Sequence, residues 1–124
     1  MGLDDLKYKR MEYTGFTCGS NVSIPVATRG LNHISSFGRI HVGGIYFLYD
    51  VTFSSVTTFV IFDIPIKYSP YITTYATAYY GSNGVCTGFF DIYGSTNTAQ
   101  IVGKISSHNK ADYLYGTLVW ISYK

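Results

Sequence analysis

The chain of 124 residues predicts an all-β fold, an antiparallel β-sandwich of jelly-roll type with roughly seven to nine strands. Three observations carry that expectation. Aromatic residues make up 18% of the chain, 13 of them Tyr, while charged residues reach only 13% against a typical ~25%. Aromatic and β-branched side chains suit a pleated, half-buried surface, and the abundant Gly supplies turns. Apolar residues recur with period two, the signature of strands whose side chains alternate between faces. After Thr14, turn signals return about every 8–12 residues with no helical interlude, as in a sandwich or small barrel. Short connections make most neighbours antiparallel. The length fits one domain able to bury a sizeable core.

Taken in order, only MGLDDLKYKRMEY has helical character, with Asp4 and Asp5 placed for a helix N-terminus and Lys7 to Arg10 for its end. Residues 1–13 are expected to form one short helical turn or the tail of a truncated upstream segment, and residues 14–124 the sandwich. VSIPVAT is a short strand interrupted by Pro25 and so belongs at an edge. In GRIHVGGIYFLYDVTF, Gly43-Gly44 marks a tight turn or bulge. Beyond it Ile45, Phe47, Tyr49, Val51 and Phe53 share one face, and Tyr46, Leu48, Asp50 and Thr52 the other. TTFVIFDI is the next strand, and the two prolines of IPIKYSPY make a loop. ITTYATAYY alternates again, GSNG reads as a hairpin turn, and VCTGFFDIYG and AQIVGKIS follow around STNT. SHNKAD is a polar loop. In the closing strand, YLYGTLVWISYK, one face reads Tyr113, Tyr115, Thr117, Val119, Ile121, Tyr123 and the other Leu114, Gly116, Leu118, Trp120, Ser122. Both are largely apolar, so something must cover the second.

The formal net charge of +2 is too small for a nucleic-acid or membrane signature, and the short basic group Lys7, Lys9, Arg10 reads as a solvated entry segment. No apolar run reaches the ~18 residues of a membrane-spanning helix, and MGLDDLKYKR does not look like a signal peptide. Cys18 and Cys86 read as two separate, buried or half-buried thiols rather than a staple, although one pair permits one disulfide. His33, His41 and His108 lie in different segments with no metal-ligand spacing, and no nucleophile elbow, phosphate loop or dinucleotide fingerprint occurs. Asp50, Asp63 and Asp91 lie in or at the end of strands; two of them facing each other would be the one acid/base pair on offer, against a reading as turn or hydrogen-bonded surface positions. No catalytic residue, metal or cofactor is expected. Tyr68, Tyr71, Tyr75, Tyr79 and Tyr80 cluster around the Pro-rich loop and the strand after it. Tyr is amphipathic and loses little entropy when fixed, so these residues either stack on a ligand such as a sugar or fill cross-strand pairs in the sheet.

The order of segments resembles the C-terminal domain of bacteriophage tail-fibre and minor tail proteins. Arg39-Ile40 with Gly43-Gly44 stand where that family has a basic-isoleucine-glycine-asparagine start. Ile64-Pro65, Tyr68 and Pro70 stand in its leucine-proline-x-glycine-tyrosine-arginine-proline loop, and Gly116, Trp120, Ile121 and Tyr123 in its final aromatic strand. Lys67 replaces the loop glycine, Ser69 the loop arginine, and the Gly pair is displaced. The resemblance spans Phe37 to Lys124. It implies a non-enzymatic receptor-binding knob at the virion tail tip, a homotrimer whose loops meet a host cell-surface glycan or protein, with no nucleic-acid partner and no membrane insertion.

On that reading Tyr68, Tyr71, Tyr79 and Tyr80 stack on a sugar and Asn83 bonds its hydroxyls. The outward face of the closing strand, Tyr115, Val119, Ile121 and Tyr123, packs on a neighbouring subunit. The alternative within one chain is that the N-terminal segment covers this face. The alternative functions are a purely structural virion or baseplate domain, a monomeric carbohydrate-binding module, and a small glycan-active enzyme using the strand aspartates.

Overall fold

The computed structural model describes residues 7–71, 75–80, 86–94 and 97–123. Ten strands appear among them: β1 (Tyr8–Glu12), β2 (Thr17–Cys18), β3 (Val22–Ser23), β4 (His33–Phe37), β5 (Ile40–Tyr49), β6 (Thr57–Pro65), β7 (Tyr75–Tyr80), β8 (Cys86–Gly94), β9 (Thr98–Ile105) and β10 (Tyr113–Ile121). Helical structure among the described residues is limited to 3-10 turns at Tyr13–Gly15, Val26–Leu31 and Ile66–Tyr68. No helix there is long and apolar enough to cross a membrane.

Hydrogen bonding links the strands in the order β1-β4-β5-β10-β7-β8-β9-β6-β2, with β3 also on β5, and every pairing is antiparallel. β7, β8 and β9 follow one another as neighbours and β10 returns beside β7, which is a Greek key. β6 beside β9 makes a second, overlapping one, so the jelly-roll expectation holds at the level of topology. The path folds back on itself into two layers. Phe47 of β5 meets the rings of Phe59 and Phe62 on β6 and Phe90 on β8 at 6.5, 5.8 and 6.1 Å. Tyr49 stacks on Phe59 at 3.8 Å and Phe16 on Phe62 at 4.8 Å, so aromatic rings fill much of the space between the layers. A bulge in β6 between Val60 and Phe62 lets Ile61 and Phe62, adjacent in sequence, both be buried. Along one side the stretch 17–23 ties the layers together, since β2 pairs with β6 and β3 with β5. Gly19 donates to the Ile61 carbonyl at 2.8 Å, and a Cβ there would collide with the Val60 carbonyl.

Three local expectations are corrected. The N-terminal segment is not helical over its described part. Residues Tyr8–Glu12 pair with β4, because the hydrogen bonds and the Tyr8–Phe37 ring contact at 5.4 Å outweigh the intrinsic helix preference of Lys, Arg, Met and Glu. That strand joins the sheet as its edge, and none of the described N-terminal residues lies on the outward face of β10. Gly43-Gly44 is neither turn nor bulge but the middle of β5, in unbroken register with β4 and β10. The glycines serve close approach: a Cβ on Gly43 would lie 3.1 Å from the Trp120 ring, and one on Gly44 3.0 Å from the Leu31 carbonyl. Cys18 and Cys86 are free, as expected, but exposed rather than buried.

Candidate functional site

The two layers present outer faces of opposite chemistry. On β10 the alternation resolves as Leu114, Leu118 and Trp120 inward and buried, with Val119, Ile121 and the following Tyr123 outward and exposed. Directly opposed residues share a face, so the register assembles a row across four strands, Ile121–Ile40–Phe37–Tyr8, with Val119–Val42 beside it. At one corner Tyr71 and Tyr123 meet edge to face at 5.2 Å, and the Arg39 guanidinium lies 5.9 Å from the Tyr71 ring. Exposure of these eight apolar side chains runs from 40% at Val42 to 63% at Tyr123. Eight side chains about half exposed offer roughly 800 Å² of apolar surface, above the ~300–600 Å² of the largest patch on an ordinary monomer and equal to one partner's share of a standard interface.

A buried polar network fixes the corner from beneath. His41 is bonded through Nδ1 to Ser36 Oγ at 2.6 Å and through Nε2 to Ser122 Oγ at 2.8 Å. Arg39 Nε donates to the Ser122 carbonyl at 2.7 Å, and the Tyr71 amide to the Ile121 carbonyl at 2.7 Å. Burial, reinforced by the positive charge of Lys67, lowers the His41 pKa to about 4. His108 is also buried, with Nε2 donating to the Tyr49 carbonyl at 2.9 Å. Burial lowers the pKa values of His108 and His33 as well. Among the described residues no group of three or more His, Cys, Asp or Glu could hold a metal ion.

The predicted ligand residues separate. Tyr68 is buried, with its ring edge against His41 at 5.1 Å and its carbonyl accepting from Trp120 Nε1 at 2.8 Å. Its ring is part of the interior and unavailable for stacking on a ligand, because the 3-10 turn at Ile66–Tyr68 folds it inward. Tyr71 is exposed and meets Tyr123, a residue that the sequence reading assigns to a subunit interface. Tyr79 and Tyr80 lie on β7 opposite Tyr115 and Leu114; their side chains, and Asn83 altogether, fall outside the described residues. Tyr115 stands apart from the exposed row. It stacks on Tyr46 at 4.8 Å, with Tyr113 on the other side of the cluster 5.2 Å from Tyr46.

The outer face of β6, β9 and β8 is mostly polar, with Val102 and Val60 opposed in the row that Asp91 begins. Asp63, Gln100 and Tyr93 lie in one row, and Asp91 and Lys104 follow on the same face. Thr98 Oγ1 and Gln100 Nε2 both donate to Asp63 Oδ1 at 3.1 Å. Asp91 is fully buried; its Oδ2 accepts from the Tyr93 hydroxyl at 2.6 Å and from Lys104 Nζ at 3.1 Å. Its Oδ1 is buried with no hydrogen-bond partner. The hydrogen bond to Asp91 raises the Tyr93 pKa, and bonds to Tyr93 and Asp91 raise that of Lys104. Of the three strand aspartates, Asp63 and Asp91 share this face with β9 between them, whereas Asp50 follows β5 in the other layer. Sequence reasoning missed Lys104 and Gln100. Their period-two spacing in AQIVGKIS placed them on one outward face, but only strand pairing identifies what they meet.

The chain matches no known protein-family model, no curated protein and no solved structure.

Proposed function

We propose that this chain is an adhesion domain that acts without chemistry, a self-assembling β-sandwich knob of the kind found at the tip of phage tail fibres. Three copies bury the face formed by β1, β4, β5 and β10 against one another and present the rest to a host-surface glycan or protein. The observation that carries this reading is the continuous exposed row Ile121–Ile40–Phe37–Tyr8, with Val119 and Val42 beside it. An area of this size left in water favours association, and homo-oligomeric interfaces are more apolar than ordinary surface. Rigid presentation of three weak sites then yields avidity far above that of a single site. The family resemblance supports the phage assignment through the short motifs quoted above.

The test has two arms. Light scattering should give three times the 13.8 kDa chain mass. The assembled protein, labelled with a fluorophore, should adsorb to bacterial host cells and be displaced by unlabelled protein. A monomer at micromolar concentration would overturn the assembly. An assembled protein that adsorbs to no host would transfer the assignment to a structural virion domain.

A further inference from the structure

We infer that the polar outer face of β6, β9 and β8 is a saccharide-binding site, with Asp63, Gln100, Tyr93, Asp91 and Lys104 as its polar groups and the Phe89 ring at its margin. This deepens the adhesion reading, on which the opposite face is buried between copies and this one points outward.

The first support is the buried Asp91 carboxylate, whose Oδ1 has no hydrogen-bond partner. A buried acceptor left unmade is costly, more so when charged, and such groups are rare in native structures unless a role explains them. Lys104 Nζ holds the other oxygen of this carboxylate at 3.1 Å on a side chain 35% exposed, so the pair reaches the solvent boundary. The second support is the mix of groups. Asp63 and Asp91 accept, the Gln100 amide and Lys104 ammonium donate, and Tyr93 does both. A saccharide hydroxyl also donates and accepts, so neighbouring hydroxyls on one ring match alternating acceptors and donors. The third support is the ring at the edge: Phe89 is 39% exposed, with Lys104 Nζ 5.8 Å from its centroid. A partly exposed aromatic ring beside polar groups adds apolar surface of the kind that meets the C–H face of a pyranose.

Other ligand classes fit less well. Two carboxylates against one lysine leave this face with a slight negative charge, which disfavours phosphates and other anions. A bare cation would compete with Lys104 for Asp91, and hard cations take six or more oxygen ligands, more than these two carboxylates provide.

The experiment is a titration of the full chain, labelled with nitrogen-15, with glucose, galactose and N-acetylglucosamine oligosaccharides, following backbone amide shifts. At least one of these sugars should move the amides of Tyr93, Gln100 and Lys104. Gln100→Ala should weaken that binding roughly tenfold, the loss of about 1.4 kcal/mol. Gln100 is half-buried on the surface, so this variant tests the site where Asp91→Asn would also disturb folding. Shifts confined to the Tyr71–Tyr123 corner, or none up to roughly 10 mM sugar, a range that covers millimolar affinities, would overturn the site. The molar mass of the same sample separates the two proposals. A monomer whose β8 and β9 amides respond upholds this site and refutes the assembly, and an unresponsive trimer does the reverse.

Discussion

Acidification should destabilise this protein through His41. The imidazole is buried between Ser36 and Ser122, with Tyr68 and Trp120 around it, the charged Lys67 nearby and Arg39 on the Ser122 carbonyl. A neutral ring satisfies both serines, since one nitrogen donates and the other accepts while each hydroxyl adapts. Protonation turns both nitrogens into donors and places a charge in an interior that already disfavours it. The folded chain therefore binds this proton only near pH 4, whereas the unfolded chain binds it at the ordinary 6.5. Between those values the unfolded state carries more protons, so stability falls as pH falls. The contribution is fully present above about pH 6.5 and declines by about 2.5 kcal/mol by about pH 4.5. The assay is urea unfolding at fixed protein concentration from about pH 7.5 to about pH 4.5. His41→Gln, which keeps one donor and one acceptor, should remove most of that decline. The residual slope belongs to His33 and His108, whose pKa values are shifted the same way. Parallel stability curves for the two proteins across this window would refute the argument.

Three further outcomes follow from the packing. Gly43→Val places side-chain atoms where even a Cβ lies 3.1 Å from the Trp120 ring, so it should lower stability by about 1–3 kcal/mol in thermal unfolding. Phe47→Ala empties the centre of the ring cluster between the layers and should cost about 3–5 kcal/mol in the same assay. Ile121→Asp, at a half-exposed position in the middle of the apolar face, should alter the stability of a single chain by less than about 0.5 kcal/mol yet shift the mass in light scattering from the assembly to one chain; an unchanged mass would remove this face from the interface.

What the sequence settled by itself was local. Period-two alternation separated the two faces of β5 beyond the glycine pair and of β10, because a side chain's choice of face depends only on its position along its own strand. Composition and turn spacing sufficed for the β-sandwich class for the same reason. Pairing across strands was not legible. Residues Tyr8–Glu12 read as helical until β4 supplied hydrogen bonds that no local window contains. Gly43-Gly44 read as a turn because a glycine pair gives the same local signal whether the chain bends or another element lies close, and here Trp120 and Leu31 are the close elements. Tyr68 read as a surface aromatic, yet its turn folds the ring against His41. The Asp91–Lys104 pair and the row from Ile121 to Tyr8 bring together residues far apart in the chain. Register decides those meetings, and register is a property of several strands folded against a shared core.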